Sequence, residues 1–350
     1  MLALSVLPGI ADSAQLIEVP EPAKGEGAIL ARTLAVGVCG TDREILAGDY
    51  GSAPPGHERL ILGHESLAEV IEAPSDARIR VGDLIVGIVR RPDPQPCEAC
   101  GVGEWDMCRN GGYTEHGIKQ LNGFCSQRFR IDEDACVRID ANLRDTGVLL
   151  EPMSVVAKAW DHIERIGQRS RSWRARRVLV TGAGPIGLLA ALITSQKDVE
   201  LHVYDHNATG LKPELVRRLG GAYHSESVEK ACSIDADVII ECTGAASVIG
   251  AVIARNAAAG IVCLAGLSSG SHRIPIDLNE LNRSMVLEND VVFGTVNANR
   301  AHYDSAAEAL VRADQEWLRT LITRRVPLQE WARAIEHEPG DIKVVMDFTL

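Results

Sequence analysis

A glycine-rich turn follows a short apolar run in the stretch Val178-Leu179-Val180-Thr181-Gly182-Ala183-Gly184-Pro185-Ile186-Gly187. The three glycines have the spacing G-x-G-x-x-G. The first glycine permits a tight turn, the second lets the backbone approach a pyrophosphate, and the third lets helix and strand pack closely. Pro185 and Ile186 open a helix whose free N–H groups favour phosphate. The stretch predicts a dinucleotide-binding turn, and a glycine turn without a ligand is the alternative.

An acidic residue stands where the next strand is expected to end. Asp205 comes 18 residues after Gly187. A carboxylate at this place accepts hydrogen bonds from the adenosine ribose hydroxyls. It also repels a 2′-phosphate, and the next residues, His206 and Asn207, supply no arginine to neutralise one. We therefore expect NAD to be preferred, with NADP possible.

Strands and helices are predicted to alternate from residue 154 to residue 298. The first helix covers residues 154–166. Apolar runs and helical spacings then predict strands at 177–181, 200–204, 237–241 and 260–265, and helices at 186–196 and 212–219. This alternation predicts an α/β fold, with a Rossmann domain built on a doubly wound parallel sheet.

The rest of the chain has a different pattern. Residues 1–153 contain short apolar runs between Gly, Pro and Asp turns, which predict a β-rich domain. The tail, residues 299–350, carries helical spacing over 301–312 and 329–336 and a strand-like run over 343–348.

Composition excludes several classes of function. The net charge of −12 argues against a nucleic-acid partner. The longest uncharged stretch, residues 178–196, contains three glycines and a proline, so a strand, turn and buried helix fit it better than a membrane span. Nine cysteines without a secretory signal suit a reducing cytoplasm, so we expect a cytoplasmic protein without a membrane partner.

Thiol, imidazole and carboxylate side chains stand at three places before the dinucleotide turn. Cys39 ends an apolar strand, His64-Glu65 begins 25 residues later, and Glu151 precedes the Rossmann half. Such side chains together are a usual zinc ligand set, and a catalytic zinc keeps one position open. Each also has a structural alternative, because Cys39 could be a core thiol and His64 a turn histidine. A second pair, His57-Glu58, is expected in a solvent loop.

At this point the chain resembles the zinc-containing medium-chain dehydrogenases. The motifs are Cys39-Gly40-Thr41-Asp42, Gly63-His64-Glu65, Gly82-Asp83 and Gly182–Gly187. A narrower resemblance, to the glucose 1-dehydrogenase branch, rests on Thr41–Ile45, Val89–Pro92, Glu151–Val155, Asn289–Asn297, Trp317-Leu318 and Ile322–Arg325.

That resemblance implies a GroES-like catalytic domain over residues 1–153, a Rossmann domain over 154–298, and a segment, 299–350, that returns to the catalytic domain. It makes Cys39, His64 and Glu151 the zinc neighbourhood, with Glu65 a direct or alternating ligand. It places sugar hydroxyls against Thr41, Glu115, Glu151 and Asn297. It places the nicotinamide against Ala265, Gly266, Leu267, Thr295, Val296 and Asn297.

The resemblance also implies an activity. An aldose would lose a hydride from C1 to the nicotinamide and a proton by way of Thr41, giving an aldonolactone in a homodimer or homotetramer. A polyol or secondary alcohol dehydrogenase on the same scaffold is the alternative. An NAD-binding sensor without catalysis is disfavoured, because Cys39, His64 and Glu151 are all present.

A second, structural zinc is less well supported. The family often binds it with four cysteines, and Cys97, Cys100 and Cys108 match three of them. Pro94 stands where the remaining cysteine is expected. Because structural zinc sites are closed and four-coordinate, either Asp93 substitutes or this lobe is free of metal.

Overall fold

The chain forms two compact units in a computed structural model that describes residues 1–268 and 273–350. Unit 1 comprises Met1–Ser154 and Asn297–Leu350, and unit 2 comprises Val155–Val296. Among the residues described, no helix has both the length and the apolar character that a membrane span requires.

The strands and helices are numbered here in chain order. The strands are β1 Leu2–Val6, β2 Gln15–Glu18, β3 Ile29–Gly37, β4 Leu60–Ile61, β5 Glu65–Glu72, β6 Leu84–Gly87, β7 Arg90–Arg91, β8 Thr114–His116, β9 Gln120–Leu121, β10 Arg128–Ile131, β11 Cys136–Ile139, β12 Arg177–Thr181, β13 Glu200–Tyr204, β14 Ala222–His224, β15 Val238–Glu241, β16 Ile261–Leu264, β17 Val291–Gly294, β18 Ile322–Pro327 and β19 Lys343–Asp347. The helices are α1 Gly40–Leu46, α2 Glu98–Gly101, α3 Leu150–Gly167, α4 Pro185–Ser195, α5 Leu211–Arg218, α6 Val228–Cys232, α7 Ala246–Ile253, α8 Leu278–Glu288, α9 Arg300–Arg312, α10 Gln315–Leu321 and α11 Trp331–Ile335.

Unit 1 is built on a largely antiparallel sheet in the order β11-β6-β5-β3-β19-β18, with β10 also paired to β3. The C-terminal strand β19 lies beside β3, so the tail completes the sheet that the N-terminal half begins. Apolar side chains from β3, β5 and β19, among them Val36, Ala68 and Met346, share one buried core. This core supports the ends of β3 and β5, where Cys39 and His64 lie.

Unit 2 is a parallel sheet in the order β14-β13-β12-β15-β16-β17. The predicted Rossmann sheet is therefore confirmed. The strand order reverses between β12 and β15, which are paired in register from Val178 with Val238 to Thr181 with Glu241. In such sheets a ligand binds outside the carboxyl ends of the strands at this reversal.

The predicted strands and helices are observed in both units with small shifts of their ends. One of these shifts changes the secondary structure assigned to a candidate site residue, Glu151. The helix predicted to begin at residue 154 begins at Leu150, so Glu151 lies in its first turn rather than ahead of it. The helix predicted over 329–336 is shorter, because a 3-10 turn, Leu328–Glu330, precedes α11. Helices α1, α2, α6, α7, α8 and α10 were not predicted. Helix α1 is short, and its buried residues are Asp42 and Ile45, so it has little apolar periodicity.

The turn before His64 needs a glycine for two reasons. Gly63 has a φ of +88°, and an added Cβ would stand 2.6 Å from Cys125 Sγ. Gly56, in the preceding connection between α1 and β4, has a φ of +80° but nothing within 4 Å of its Cβ position. The two glycines therefore share the backbone constraint and differ in the space around them.

Replacing Gly63 by alanine should lower the midpoint of thermal unfolding more than Gly56→Ala does. Both variants carry the cost of a left-handed backbone, about 1–2 kcal/mol. Only Gly63→Ala adds overpacking, about 1–3 kcal/mol. Calorimetry of both proteins checks this, and equal midpoints would show that the turn before His64 is not tightly packed.

Candidate functional site

A buried cluster in unit 1 joins Cys39, His64 and Glu65. One ligand atom from each lies within 4.8 Å of those of the other two. Cys39 follows β3 and precedes α1, while His64 and Glu65 lie at the start of β5, which pairs with β3. Strand pairing thus brings together residues that are far apart in the sequence. His64 and Glu65 are only 4% and 2% exposed.

A carboxylate that we did not assign to the site from the sequence orients this cluster. Asp42 Oδ2 accepts a hydrogen bond from the Cys39 backbone N–H at 2.9 Å, and Asp42 Oδ1 lies 3.4 Å from His64 Nδ1. Burial alone would lower the pKa of His64, but the charge of Asp42 and hydrogen bonds to Asp42 and Cys39 raise that pKa well above its ordinary value. Since Nδ1 faces Asp42, the other ring nitrogen is the one available for a metal.

A buried lysine accompanies the second carboxylate. Lys343 Nζ forms an ion pair with Glu65 Oε2 and donates to Val38 O at 2.9 Å. Burial would lower the pKa of Lys343, but the charge of Glu65 outweighs it and the pKa is raised. Lys343 therefore fixes the Glu65 side chain beside Cys39 and His64 by an ion pair.

Glu151 and Thr41 lie near the cluster without belonging to it. Glu151 is buried in the first turn of α3, and burial raises its pKa to about 7, although the charge of His64 opposes this shift. Thr41 is in the first turn of α1, where its Oγ1 lies 4.0 Å from Cys39 Sγ. Thr41 is thus close to the thiol.

The donors in this cluster suit zinc. A thiolate, an imidazole and a carboxylate are the ligand types that zinc takes in catalytic sites, and a carboxylate behind the histidine is the usual support for that ring. Asp42 occupies that supporting position. The residues present therefore fit a catalytic zinc, with Cys39, His64 and Glu65 as the nearest candidates and Glu151 close by.

Two of the predicted sugar contacts meet in unit 1. Glu115 Oε1 accepts hydrogen bonds from Asn297 Nδ2 at 2.8 Å and from Arg90 Nε at 3.0 Å. Arg90 also lies over the ring of Tyr113, with its guanidinium carbon 3.8 Å from the ring centroid. Both Arg90 and Glu115 are buried. Arg90 was not singled out as a site residue, although it belongs to the Val89–Pro92 motif.

The glycine turn of unit 2 has the shape that its spacing predicted. Gly182 has a φ of +88°, and a Cβ on Gly187 would stand 1.7 Å from Gly182 O, so helix and strand meet there without room for a side chain. Gly184 caps α4, and its Cβ position has nothing within 4 Å. Pro185 and Ile186 begin that helix. The open side of the turn leaves room for a pyrophosphate.

Asp205 contacts the backbone of this turn through its carboxylate. Its Oδ2 accepts from the Ala183 N–H at 2.7 Å and from Lys212 Nζ at 3.1 Å, and its Oδ1 accepts from the Asn207 N–H at 2.9 Å. Burial would raise the pKa of Asp205, but these partners lower it. The carboxylate is therefore charged, with Lys212 as a counter-ion that the sequence pattern did not reveal.

The predicted nicotinamide loops follow β16 and β17. Ala265 and Gly266 donate their N–H groups to Glu241 O at 2.8 and 2.9 Å, and Leu267 is exposed. Thr295 N donates to Leu264 O at 3.0 Å, and Val296 O accepts from Lys158 Nζ at 2.9 Å. Asn297, which the resemblance also placed against the cofactor, belongs to unit 1 and contacts Glu115.

The second metal lobe has three thiols. Cys97, Cys100 and Cys108 offer sulfur atoms within 4.8 Å of one another. Over the described ranges no fourth His, Cys, Asp or Glu joins them, so the possibility that Asp93 completes the site is not supported. N–H groups of Arg109 and Cys100 lower the pKa of Cys97 to about 6. Cys97 is thus the thiol that ionises most readily, and the described residues give the lobe no closed ligand set.

Comparison with known proteins gives a family match for the N-terminal half of the chain and another for the C-terminal half. Residues 25–141 match the family described as the alcohol dehydrogenase GroES-like domain, and residues 144–348 match the family described as the glucose dehydrogenase C-terminus. Glucose 1-dehydrogenase of Methanocella arvoryzae is 36% identical, and glucose 1-dehydrogenase 2 of Vulcanisaeta moutnovskia is 39% identical. Each alignment covers 99% of this chain and 99% of the relative.

A solved structure is similar over the whole chain. Glucose dehydrogenase of Haloferax mediterranei, in a complex with NADP, zinc and gluconolactone, superposes with a TM-score of 0.91 at 30% identity and covers 100% of both chains. A GroES-like unit joined to a Rossmann unit defines the medium-chain dehydrogenases. Within that class, the chain belongs to the glucose 1-dehydrogenase family, and the resemblance inferred from its motifs is confirmed.

Replacing His64 by alanine should remove the catalytic metal and turnover together. A metal site supplies several kcal/mol of transition-state stabilisation, so turnover should fall about a thousandfold or more. NAD binding should persist, because the glycine turn belongs to the other unit. His57→Ala is the matched control, since His57 is exposed in a loop. Zinc analysis and initial rates check this, and near-normal turnover of His64→Ala would contradict the assignment.

The purified chain should retain one zinc ion, because the thiol lobe has no fourth candidate ligand among the residues that the structure describes. Cys100→Ser should leave the zinc content unchanged, whereas His64→Ala should abolish it. Plasma emission spectrometry after dialysis counts the metal. Two retained zinc ions per chain, with one lost in Cys100→Ser, would show that the lobe holds a metal after all.

Proposed function

We propose that the chain oxidises a glucose-like aldose at C1 and gives the aldonolactone and the reduced nicotinamide cofactor. The observation that carries this proposal is the buried Cys39–His64–Glu65 cluster in a chain aligned over 99% of its length with glucose 1-dehydrogenases. The reaction balances as follows. The C1–H bond breaks and its hydride passes to C4 of the nicotinamide. The hydroxyl proton leaves to solvent, and C1 becomes the lactone carbonyl.

The metal residues have distinct tasks in this proposal. Cys39 and His64, with Glu65 or Glu151, hold zinc, which when bound supplies Lewis-acid chemistry that lowers the pKa of the sugar hydroxyl. Asp42 keeps the His64 ring in place, and Lys343 holds the Glu65 side chain by an ion pair. Thr41, beside the Cys39 thiol, receives the hydroxyl proton and passes it outward.

The sugar is held by the network around Glu115. A carboxylate and an amide together suit vicinal hydroxyls, because the carboxylate accepts and the amide both accepts and donates. Arg90 fixes Glu115 through a hydrogen bond to its carboxylate. The Glu115 carboxylate and the Asn297 amide are then the groups that bind the substrate hydroxyls. Thr41 and Glu151 complete the proposed contacts.

The cofactor is NAD in preference to NADP. Asp205 is charged and buried at the end of β13, where it faces the ribose in this fold. A 2′-phosphate would meet its negative charge. Lys212 neutralises part of that charge, which is why NADP stays an accessible second cofactor.

We further propose a homodimer or homotetramer. Helix α8 buries none of its residues, although isolated helices of this length are marginal without packing. Seven of the fifteen exposed large apolar residues described fall between residues 267 and 296: Leu267, Ile274, Ile276, Leu278, Val286, Leu287 and Val296. Strand β17 ends the sheet beside them. An edge strand flanked by apolar surface suits a second copy of the chain, which offers the same strand in return.

All nine cysteines are free thiols, so we place this assembly in the reducing cytoplasm.

A panel of aldoses and polyols, assayed with NAD and with NADP, tests the proposed reaction. Glucose or a close epimer should give the highest kcat/KM, and the product should be a lactone. NAD should exceed NADP in kcat/KM. Ketone formation from polyols, with aldoses inert, would favour the alternative dehydrogenase, and a clear NADP preference would overturn the role given to Asp205.

Light scattering tests the proposed assembly. The native chain should have the mass of a dimer or a tetramer, and Val286→Glu should lower it, because a charge would be buried at the contact. Val81→Glu is the control, since Val81 is as exposed as Val286 but lies in unit 1. A monomeric native chain would contradict the assembly.

A further inference from the structure

A buried acid that the proposed mechanism does not use stands at the carboxyl edge of unit 2. Glu241 is the last residue of β15 and is fully buried. It pairs in register with Thr181 of β12 on one side and with Leu264 of β16 on the other. In the part of the chain that the structure describes, its side chain makes no ion pair with a cation. A buried carboxylate without a cation is costly, so its hydrogen bonds must stabilise it.

Neutral donors from two neighbouring segments surround this carboxylate. Its Oε1 accepts the Thr243 N–H at 2.7 Å and the Thr181 hydroxyl at 3.3 Å, and it also accepts the Thr243 hydroxyl. Its Oε2 accepts the Gly244 N–H at 3.1 Å. One side chain therefore fixes both the end of β12, directly before the glycine turn, and the segment after β15.

The same residue also holds the segment after β16. The backbone oxygen of Glu241 accepts the N–H groups of Ala265 and Gly266. A Cβ on Gly266 would stand 2.8 Å from Glu241 Oε2 and 2.3 Å from Gly244 N, so this segment packs directly on the carboxylate. Three connections thus meet at one residue.

The segments after β12 and β15 flank the place where a dinucleotide binds in this fold, and the segment after β16 packs against the segment after β15. The strand order reverses between β12 and β15, and a ligand of this fold binds outside the carboxyl ends at that point. Thr181 and Glu241 are the residues that end those two strands. Preorganised loops bind a ligand with less loss of conformational entropy.

We propose that Glu241 is a positioning residue of the dinucleotide site, which sets the segments after β12, β15 and β16 in the shape that accepts the cofactor. This inference rests on the proposed function, since it concerns the same cofactor. Glu241 acts through Thr243, Gly244 and Gly266 rather than by contact with the reacting atoms.

Glu241→Gln tests the proposal with almost no change in shape. The amide NH₂ of glutamine would face N–H or hydroxyl donors, and each unsatisfied buried donor costs enough to weaken a binding loop about tenfold. The dissociation constant for NAD, measured by calorimetric titration, should rise about tenfold or more, and KM for NAD should rise with it. The kcat, the KM for glucose and the zinc content should stay close to those of the native chain. Thr181→Val removes only the longest of these bonds, at 3.3 Å, so it should weaken NAD binding by less than Glu241→Gln does.

Thr243→Ala keeps the proposal testable if Glu241→Gln fails to fold. Thr243 is exposed, and its hydroxyl links Glu241 to the Ala245 N–H at 3.0 Å. Its loss should weaken NAD binding severalfold without changing kcat. A folded Glu241→Gln protein, or a Thr243→Ala protein, with native NAD affinity would overturn this proposal alone. A native chain that binds neither NAD nor NADP would overturn it together with the proposed function.

Discussion

The candidate metal site depends on one buried carboxylate, that of Asp42. Its two oxygens have different tasks, because one accepts the backbone N–H of Cys39 and the other faces the ring of His64. The same side chain therefore orients two candidate ligands that come from different strands. Burying a carboxylate beside an imidazole is costly unless the pair is well matched in charge and geometry. A cation bound by His64 and Cys39 would explain this arrangement, because Asp42 would then orient two of its ligands.

Much of the fold was predictable because its signals are local. The strand, turn and helix around Gly182–Gly187 lie in one short stretch, and Cys39 and His64 stand in short motifs. The supporting residues were harder to find, because their partners are distant in sequence. Lys343 donates to Val38 across 305 residues, and Asn297 reaches Glu115 across 182. Glu241 looked like the end of an ordinary strand. Helix α1 was not predicted because it is short and has little apolar periodicity, since one of its two buried residues is Asp42.

The two units divide the chemistry between them. Unit 1 carries the candidate metal ligands and the Glu115 network, and unit 2 carries the glycine turn and Asp205. Each set is supported by its own polar residues, which are the buried Asp42, Lys343 and Arg90 in unit 1 and the buried Glu241 with the partly buried Lys212 in unit 2. Metal binding and cofactor binding can therefore be disturbed separately by substitution. The thiol lobe lies outside both sets, and among the described residues no fourth candidate ligand joins its three sulfur atoms.

Anomalous diffraction at the zinc absorption edge, from crystals of the purified chain, tests the central claim most directly. A catalytic zinc bound by this cluster predicts a peak about 2.3 Å from Cys39 Sγ and about 2.0–2.1 Å from an imidazole nitrogen of His64. A map with no peak between those two residues, or with zinc only among Cys97, Cys100 and Cys108, would contradict the account.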